Sequence, residues 1–379
     1  MKIVEIIHCP TPGGAEIYVK NLLINMKRQN NKNEYELWSL HETNELFPNN
    51  KDATKFEKEY INELQTNGIK VKMFNRHGNG FRNRLNWYKE IREYFNEKKP
   101  DIIHTHLEIV TFNMCMALLL KKVKIIETIH NEKITHSKVH KLFLKHKLYK
   151  IVSIADKVTE SVNKNITNKE GKVTQIYNGI EIKKFECNRT FNDEHEINIV
   201  AIGRLTEQKN HKLLLEAFKR LTERLEEEHK GLPNLRIYGQ GKLKENLIRY
   251  IDENNIQNVQ LMGITSNVDK VLKESDIYVM SSNYEGFSIS LIEAMVSGIA
   301  IVCTNVGANN EIIGNNEAGI LVASNDTQQL VDALFKLLSK DERKKLYNKC
   351  QERKKMFDIK KSAKKHLELY KITMNETKL

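Results

Sequence analysis

Cysteine is scarce in this chain and is not arranged as a framework for metals or disulfides. The five cysteines are widely separated and odd in number, and no Cys-x-x-Cys pair occurs among Cys9, Cys115, Cys187, Cys303 and Cys350. Structural zinc sites and disulfide-rich folds use closely spaced or paired cysteines. The cysteines therefore predict no metal site and fit a protein of a reducing cytoplasm.

Long hydrophobic runs are also missing. A membrane-spanning helix needs about 18 or more consecutive apolar residues. The longest candidate, near residues 110–120, is short and is interrupted by Thr, Asn and Cys. Residues 1–7 have the pattern of a first strand rather than of a signal peptide, because no basic region precedes an apolar one. We therefore expect a cytoplasmic protein without a membrane span.

Two motifs that identify other enzyme classes are absent. The chain contains neither a Gly-x-Gly-x-x-Gly dinucleotide fingerprint nor an Asp-x-Asp sequence. The first absence argues against an NAD-dependent oxidoreductase. In place of the fingerprint, Gly13-Gly14 stands between a strand at residues 2–8 and a helix at residues 17–26. A glycine pair in such a turn lets the backbone approach a phosphate or a sugar closely.

The charge of the chain is unevenly distributed. The formal net charge is +12, and residues 1–180 hold 30 Lys and Arg against 20 Asp and Glu. A basic half of this kind predicts contact with phosphates, either of nucleic acid or of an anionic membrane. Nucleic acid is the weaker alternative, because the sequence has no recognised binding module and no basic motif with interleaved aromatic residues.

One basic segment fits two different interpretations. Residues 133–150 combine cations with apolar residues at helical spacing, namely Val139, Leu142, Phe143 and Leu148. A helix of this pattern can lie on an anionic membrane surface. The same pattern is typical of a domain helix that turns a basic face to water, which we consider the better explanation.

Strand and helix patterns alternate along the whole chain, which predicts an α/β fold with two doubly wound parallel sheets. A chain of 379 residues is long enough for two domains. We place an N-terminal domain at residues 1–185 and a C-terminal domain at residues 186–357, joined through a polar linker at residues 187–196. A final helix follows within residues 358–379.

Residues 275–313 hold the most informative pattern. An apolar strand at 277–280 leads through a loop with Glu285 into a helix at 289–296 with Glu293, and a second strand follows. A helix start at the carboxyl edge of a parallel sheet favours an anion such as a diphosphate. Carboxylates beside it accept hydrogen bonds from hydroxyls, which suggests a nucleotide sugar. The two glutamates alone are more typical of a solvated acid and a helix cap.

Other strand ends carry cations and histidines. Arg204 and Lys209 lie in the sequence G-R-L-T-E-Q-K between a strand and a helix, where two cations can neutralise a diphosphate. His104 and His106 end a strand in the first half and share one of its faces. No Asp, Glu or Cys partner for them is obvious from the sequence, so we do not expect a metal there. His130 ends the next strand.

The segment E-G-F-S-I-S-L-I-E resembles the E-x7-E motif of retaining glycosyltransferases with the GT-B architecture, in particular glycosyltransferase family 4. The resemblance extends to G-R-L-T-E-Q-K, G-G-A-E, P-D-I-I-H-T-H and Asn178-Gly179, and so covers nearly the whole chain. It implies two Rossmann-like domains that face each other across a cleft, with the last helix crossing back to the first domain.

The resemblance also implies roles for individual residues. Arg204 and Lys209 would stabilise the leaving diphosphate, Glu285 would contact the donor sugar, and His130 would lie at that sugar. The expected donor-binding positions are the glycine loops, the base-binding loop, the start of the helix after Glu285 and the ribose-binding glutamate: Gly14, Gly203, Gly263, Thr265, Gly286, Phe287, Ser288, Ile289 and Glu293. For the acceptor we expect His106 together with Arg76 and Arg82, although a solvated basic loop explains the two arginines equally well.

The implied function is retaining transfer of a hexose-type sugar from a nucleoside diphosphate sugar, with a UDP-sugar as the favoured donor. The acceptor would be a lipid-linked or saccharide intermediate of bacterial surface polysaccharide or glycolipid synthesis. No metal, other cofactor or nucleic-acid partner is expected. The enzyme would be cytoplasmic, or peripheral on the inner face of the cell membrane. A nucleotide-sugar epimerase or a phosphorylase of the same architecture is the alternative.

Overall fold

A computed structural model describes residues 1–78, 80–119, 121–135, 137–146, 148–191, 196–265 and 267–376. The chain divides into two compact units. The first unit comprises Met1–Gly179 together with Asp358–Leu379, and the second unit comprises Ile180–Phe357. The division after Gly179 lies a few residues before the boundary expected at residue 185.

A parallel sheet forms the centre of the first unit. Within the described residues its seven strands are β1 (Lys2–Ile7), β2 (Glu34–Ser39), β3 (Lys70–Met73), β4 (Ile102–His106), β5 (Lys124–Ile129), β6 (Leu148–Ser153) and β7 (Val173–Gln175). Their spatial order is β3-β2-β1-β4-β5-β6-β7, and all neighbours run parallel. The central strands are almost fully buried and rich in Ile, as expected where helices cover both faces.

Helices cover the sheet of the first unit. They are α1 (Gly14–Gln29), α2 (Thr43–Leu46), α3 (Lys51–Thr66), α4 (Phe81–Lys98), α5 (Glu108–Ala117), α6 (Ser137–His146), α7 (Asp156–Asn165) and α16 (Ile359–Asn375), the last helix of the chain. α1 and α16 share one apolar core over the sheet, to which they contribute Leu22, Leu23, Ala363 and Tyr370. The Lys124 ammonium fixes the end of α16 by donating to the carbonyl of Met374 (2.9 Å).

The second unit repeats the plan with a separate sheet. Within the described residues its strands are β8 (Asn198–Ile202), β9 (Asn234–Tyr238), β10 (Val259–Gly263), β11 (Ile277–Met280), β12 (Ala300–Thr304) and β13 (Ile320–Val322). Their order is β10-β9-β8-β11-β12-β13, and all neighbours again run parallel. Two doubly wound parallel sheets were predicted, and this prediction is confirmed.

The helices of the second unit are α8 (Ile182–Phe185), α9 (His211–Glu227), α10 (Lys244–Glu253), α11 (Val268–Lys273), α12 (Ile289–Ser297), α13 (Asn309–Ile313), α14 (Thr327–Leu337) and α15 (Lys340–Arg353), with a 3-10 turn at Lys354–Phe357. One face of α9 packs through Leu214, Phe218 and Leu221 into the core that α14 completes with Leu330 and Leu334. Among the described residues, no helix combines the length and apolar character that crossing a bilayer requires.

The structure corrects three details of the sequence interpretation. Leu148 belongs to β6 and not to the basic helix, which ends at His146. The segment at residues 75–86 is a loop only up to Gly80, because α4 begins at Phe81. The expected linker is anchored at Arg189, whose guanidinium donates to the carbonyls of Leu272 (2.6 Å), Ser275 (2.7 Å) and Ser297 (2.9 Å). The remaining linker residues 192–195 lie outside the described part of the chain.

Candidate functional site

The candidate site of the second unit lies where the strand order of its sheet reverses. β8 and β11 are neighbours, and the chain continues from them toward opposite edges of the sheet. Loops that leave two such strands open a crevice at the carboxyl edge, where sheets of this type bind ligands. The loops are residues 203–210 after β8 and residues 281–288 after β11. The two stretches that the sequence marked as most informative therefore lie side by side.

Hydrogen bonds join these two loops. Gln208 donates from Nε2 to the carbonyl of Tyr284 (3.1 Å), and its own carbonyl accepts from the backbone N–H of Asn283 (2.8 Å). Ser281 donates from Oγ to the carbonyl of Lys209 (3.0 Å). Because these bonds run between the loops, they fix the side chains of one loop relative to those of the other.

An ion pair between Lys209 and Glu285 lies at the junction of the loops. Nζ of Lys209 is 2.6 Å from Oε1 of Glu285, and the same oxygen accepts a hydrogen bond from Oγ of Ser282 (2.6 Å). The side chains are only 15% and 7% exposed, respectively. Charge-assisted hydrogen bonds of this kind are stronger than neutral ones. The sequence identified both residues but did not predict that they pair.

Glycines allow the backbones of the neighbouring loops to come this close. A Cβ atom at Gly239 would lie 1.9 Å from the carbonyl oxygen of Gly203, and one at Gly307 would lie 2.2 Å from that of Glu285. Gly307 also has a φ of +55°, which disfavours other residues. The loops of Gly203 and Glu285 therefore pack directly against the backbone of Gly239 and Gly307. Any larger side chain at Gly239 or Gly307 would displace these loops.

α12 begins directly after the Glu285 loop. Ser288 caps it by accepting from the N–H of Leu291 (3.4 Å), and Gly298 ends it in the left-handed conformation. Among the described residues, no hydrogen bond is formed by the N–H groups of Ser288 and Ile289, as expected in a first helical turn. Together with the helix dipole they favour an anion at this end of α12.

The other predicted residues near the start of α12 differ in their exposure to solvent. Gly286 is partly exposed and can present its backbone, as expected. The side chain of Phe287 is buried, with its ring centre 6.0 Å from that of Phe357. A ligand can therefore reach Phe287 only through its backbone. Arg204 is exposed, and within the described residues its guanidinium makes no hydrogen bond or ion pair.

Glu293 on α12 is partly buried, and among the described residues its carboxyl group has no hydrogen-bond partner. Burial raises the pKa of Glu293 to about 7, against the opposing influence of the Lys184 ammonium, and the Asp269 carboxylate raises it further. A partly buried carboxyl group without a hydrogen-bond partner among the described residues is suited to accept hydrogen bonds from ligand hydroxyls. The predicted ribose contact stays a prediction, and the geometry is compatible with it.

The predicted base-binding loop follows β10. Gly263 ends this strand with a φ of +75°, and its carbonyl accepts from the N–H of Gly239 (2.8 Å). Thr265 is partly exposed and accepts from the N–H of Asn267 (3.0 Å). Ser266 lies outside the described residues. The loop thus joins the glycine turn that supports Gly203, which places it beside the two central loops.

Sequence reasoning missed His211, the first residue of α9. It is 5% exposed, and within the described residues neither ring nitrogen has a hydrogen-bond partner of good geometry. Burial, together with the neighbouring Lys209 ammonium, lowers the pKa of His211 to about 4. The neutral ring lies under the loop of Arg204. Its position directly after the conspicuous G-R-L-T-E-Q-K-N segment was the available signal.

In the first unit the strand order reverses between β1 and β4. Gly14 begins α1 after the glycine loop that follows β1. His130 follows β5 and lies in the wall of a cavity of about 450 Å³, whose other lining residues include Ile109, Phe112, Lys133 and Phe143. The imidazole is 9% exposed, and burial holds its pKa well below the ordinary value. His130 is therefore a neutral side chain at a mainly apolar cavity.

The expected contact of His106 with an acceptor is not compatible with its position. His106 is 1% exposed, and its two ring nitrogens lie 3.2 Å from His130 Nε2 and 2.7 Å from Glu5 Oε2. With both nitrogens engaged, His106 can reach a ligand only through His130. The sequence analysis also missed Glu5, the carboxylate partner that it did not find for the two histidines.

Glu5, His104 and His106 place ligand-type atoms within 4.8 Å of one another, the arrangement that a metal ion requires. All three are buried, and their polar atoms are hydrogen-bonded to each other or to Tyr370, Thr128 and His130. The cluster therefore satisfies its own charge and hydrogen-bonding groups without needing an ion. Metal independence of the enzyme stays a prediction.

The two predicted acceptor arginines lie at the start of α4 (Arg82) and in the loop before it (Arg76). Arg82 is exposed in the first turn of this helix, and Arg76 is partly exposed with its Nε donating to the carbonyl of Gly78 (2.9 Å). Their geometry fits a solvated basic surface as well as an anionic ligand. Contact with an acceptor stays a prediction for both.

Glu293→Gln should raise the free energy of unfolding at pH 8 and leave it nearly unchanged at pH 5. The pKa of about 7 in the folded protein lies above the ordinary value of 4.5, so the native state loses stability as the pH rises from 5 through 7. A shift of this size corresponds to about 3 kcal/mol, and we expect about 1–2 kcal/mol for a partly exposed group. Urea unfolding at both pH values measures the effect.

The exposed Glu253, changed to Gln in the same unit, is the matched control and should show no such pH dependence. An equal gain at both pH values for Glu293→Gln would show that a pH-independent contribution of the new amide, and not titration of the carboxyl group, causes the effect.

Comparison with known families assigns both halves of the chain. Residues 12–184 match the family model described as Glycosyltransferase Family 4, and residues 183–356 match Glycosyl transferases group 1. The chain is 35% identical over 163 residues, 42% of each chain, to the N-acetylgalactosamine-N,N'-diacetylbacillosaminyl-diphospho-undecaprenol 4-alpha-N-acetylgalactosaminyltransferase of Campylobacter jejuni. This match spans less than half of that relative.

A longer match involves a second transferase. The UDP-Gal:alpha-D-GlcNAc-diphosphoundecaprenol alpha-1,3-galactosyltransferase of Escherichia coli is 27% identical over 285 residues, which cover 66% of this chain and 72% of the relative. Among solved structures, Anabaena HepE in complex with UDP and glucose superposes with a TM-score of 0.79 at 14% identity, covering 97% of this chain and 98% of the other. The chain therefore belongs to the glycosyltransferases of GT-B fold, with a first half of Glycosyltransferase Family 4 and a second half of Glycosyl transferases group 1.

Proposed function

We propose that the enzyme transfers a hexose-type sugar from a UDP-sugar to a lipid-linked saccharide with retention of anomeric configuration. The observation that carries the proposal is the Lys209–Glu285 pair. It brings a cation suited to a phosphate next to a carboxylate suited to sugar hydroxyls. The two relatives named above act on saccharides linked to diphospho-undecaprenol, and the HepE structure contains UDP and glucose. These names support the choice of donor and acceptor.

In this proposal the second unit stabilises the leaving diphosphate. When the bond between the anomeric carbon and the phosphate oxygen breaks, negative charge grows on the diphosphate. Lys209, the exposed Arg204 and the N–H groups at the start of α12 are the positive groups that meet this charge. Fixed donors of this kind act without reorganising during the reaction, and their electrostatic effect is commonly the largest contribution to the rate.

Glu285 and Glu293 accept hydrogen bonds from hydroxyl groups of the nucleotide sugar. Glu285 is already oriented by Lys209 and Ser282 and contacts the sugar, while Glu293 contacts the ribose. The acceptor oxygen forms the new bond on the face that the diphosphate leaves, and its proton passes to the departing phosphate oxygen. Atoms and charges then balance without a protein base, and this leads to retention.

The cavity of the first unit is assigned to the acceptor, although the family resemblance places His130, which lies in its wall, at the donor sugar. His130 provides a neutral imidazole in the wall of a cavity whose lining includes Leu107, Ile109, Phe112 and Phe143. The lining also includes the polar side chains of Glu108, Asn131, Thr135 and His140. A cavity with both apolar and polar walls suits an amphipathic acceptor. Lys133 in the same lining supplies a positive charge for a phosphate. Together these residues favour a lipid-linked acceptor.

A membrane-facing surface accompanies this cavity. Ile109, Phe112 and Met116 recur at helical spacing on α5 and are 50%, 36% and 37% exposed. Phe112 contacts Phe143 of α6 with 6.1 Å between ring centres, and α6 adds the exposed Lys138 and Lys141. An apolar stripe with a cationic border binds the surface of an anionic bilayer. We place the enzyme peripherally on such a surface, with α5 as the contact in addition to the predicted basic helix.

Lys209→Ala should lower the turnover of sugar transfer by about 100-fold or more, because it removes one donor that acts in the transition state. Steady-state rates with UDP-sugars and a diphospho-lipid saccharide measure this loss. Lys219→Ala, on the exposed face of α9, is the control and should retain activity. Turnover near that of the wild type would exclude Lys209 from stabilising the leaving group.

UDP should raise the melting temperature of the protein more than GDP, ADP, CMP or NADH at equal concentration. A ligand at about 100 times its dissociation constant stabilises the folded state by roughly 2.7 kcal/mol. Glu293→Ala should reduce the UDP shift if this carboxylate binds the ribose. A larger shift with another nucleoside diphosphate would replace UDP in the proposal, and a shift with NADH alone would overturn transfer itself.

The wild-type enzyme should float with liposomes that contain anionic lipid, and Ile109→Ser with Met116→Ser should abolish this at equal salt. The double substitution removes two of the three residues of the exposed apolar stripe without touching the buried core. Ile372→Ser on α16 is the matched control, because Ile372 is 52% exposed on the same unit. No flotation of the wild type at low salt would rule out the membrane assignment.

A further inference from the structure

A cluster of polar side chains lies inside the core that α1 and α16 form over the first sheet. Glu5 on β1 and His104 on β4 are partners in strand register, so their side chains emerge on the same face. Both are fully buried, and His106 follows two residues later on that face. A carboxylate and two imidazoles in an apolar core are costly unless each hydrogen-bonding group is satisfied.

Glu5 is the centre of the cluster. Its Oε1 accepts from the hydroxyl of Tyr370 on α16 (2.6 Å), and its Oε2 lies 2.7 Å from Nε2 of His106 and 3.3 Å from Nδ1 of His104. Burial alone would raise the pKa of Glu5, but the adjacent His104 and His106 hold it well below the ordinary range. Glu5 is therefore a carboxylate, which can only accept hydrogen bonds.

The carboxylate determines which nitrogen of His106 carries the proton. Burial lowers the pKa of His106 against the opposing hydrogen bond with Glu5, and the neighbouring His104 lowers it further, so the ring is neutral and bears one N–H. Because Nε2 faces an oxygen that can only accept, the proton of His106 must be on Nε2. Its Nδ1 then has a lone pair and can only accept, as is usual when the partner of one imidazole nitrogen fixes the other.

The same reasoning extends to His130. Its Nε2 lies 3.2 Å from Nδ1 of His106 and must donate to it. His130 is also neutral, so its own Nδ1 is the unprotonated nitrogen. Within the described residues this nitrogen has no hydrogen-bond partner, and the side chain lies in the wall of the cavity. Glu5, His106 and His130 thus form a hydrogen-bonded relay. Tyr370 and His104 contact this relay at Glu5, and among the described residues neither they nor His366 form a hydrogen bond with Nδ1 of His130.

We infer that Glu5 and His106 are positioning residues that hold His130 as the Nε2–H tautomer, so that its Nδ1 accepts a hydrogen bond from a hydroxyl group of the substrate. The use of this acceptor in catalysis rests on the proposed sugar transfer, whereas the tautomer itself follows from the first unit alone. An imidazole at residue 130 that is doubly protonated, or that carries its proton on Nδ1, would present an N–H to the substrate hydroxyl. It could not accept a hydrogen bond from that hydroxyl.

A purely structural role of the cluster is the competing explanation. Tyr370 joins Glu5 to α16, and this contact could by itself account for a buried carboxylate. The two explanations predict different effects for two substitutions. Tyr370→Phe removes a hydrogen bond of Glu5 without touching His106 or His130, whereas His106→Phe breaks the relay.

The test is a two-bond proton–nitrogen NMR spectrum of protein labelled with ¹⁵N-histidine, in which the two neutral tautomers have distinct patterns. His130→Gln identifies the signals of residue 130 by their disappearance. We expect the wild type and Tyr370→Phe to show only the Nε2–H form of His130. His106→Phe should show both tautomers, and His106→Gln should keep the Nε2–H form, because its carbonyl can accept in place of Nδ1.

Kinetics provide the second measurement. His106→Phe should lower kcat/KM for transfer about 10-fold, as loss of one hydrogen bond of about 1.4 kcal/mol does, and His106→Gln should restore most of it. An equal loss in Tyr370→Phe and His106→Phe would overturn the role in catalysis.

An Nδ1–H or doubly protonated His130 in the wild type would overturn the inference outright, even if His106→Phe does not fold. An Nε2–H form that persists in His106→Phe would do so as well. If the wild type transfers no sugar under any condition, the proposed function fails, while the spectra still decide the tautomer.

Discussion

The ion pair between Lys209 and Glu285 is the contact on which the site of the second unit depends. The two residues are 76 positions apart in sequence and meet because β8 and β11 pair in register, which brings the ends of both strands to one level. Removing one partner of such a mostly buried pair typically costs about 3–5 kcal/mol. In the proposed mechanism a diphosphate that engages Lys209 would draw the ammonium away from Glu285 and free the carboxylate oxygens for sugar hydroxyls. Binding of the nucleotide sugar and ordering of the two loops would then be coupled.

The first unit uses the same strand geometry with a different electrostatic design. There the carboxylate is placed deep in the core, and only neutral imidazoles lie between it and the cavity. A cation at the position of His130 would offer an N–H to a ligand hydroxyl instead of accepting a hydrogen bond from it. The buried carboxylate fixes the neutral imidazole from inside the core and does not itself line the cavity.

Structural features that are set by residues close together in the sequence could be predicted, whereas contacts between distant residues could not. The strands, loops and helix starts around Arg204 and Glu285 follow from apolar runs and turn residues within about ten positions, and they were located almost to the residue. The pairing of Lys209 with Glu285, and of Glu5 with His106, depends on which strands become neighbours, which no local pattern encodes. Contact of His106 with the acceptor was expected wrongly, because a polar residue at the end of a strand gives the same sequence pattern whether its side chain faces a ligand or another side chain.

Glu5 shows why the register of a sheet carries chemical information that composition does not. A slip of one residue between β1 and β4 would turn the carboxylate to the opposite face and leave Nε2 of His106 without its acceptor. The two tautomers of a neutral imidazole differ little in energy, so burial alone cannot select between them. A fixed charge separated from the cavity by two imidazoles can select one tautomer, because each hydrogen bond in the series has only one allowed direction once the carboxylate is ionised.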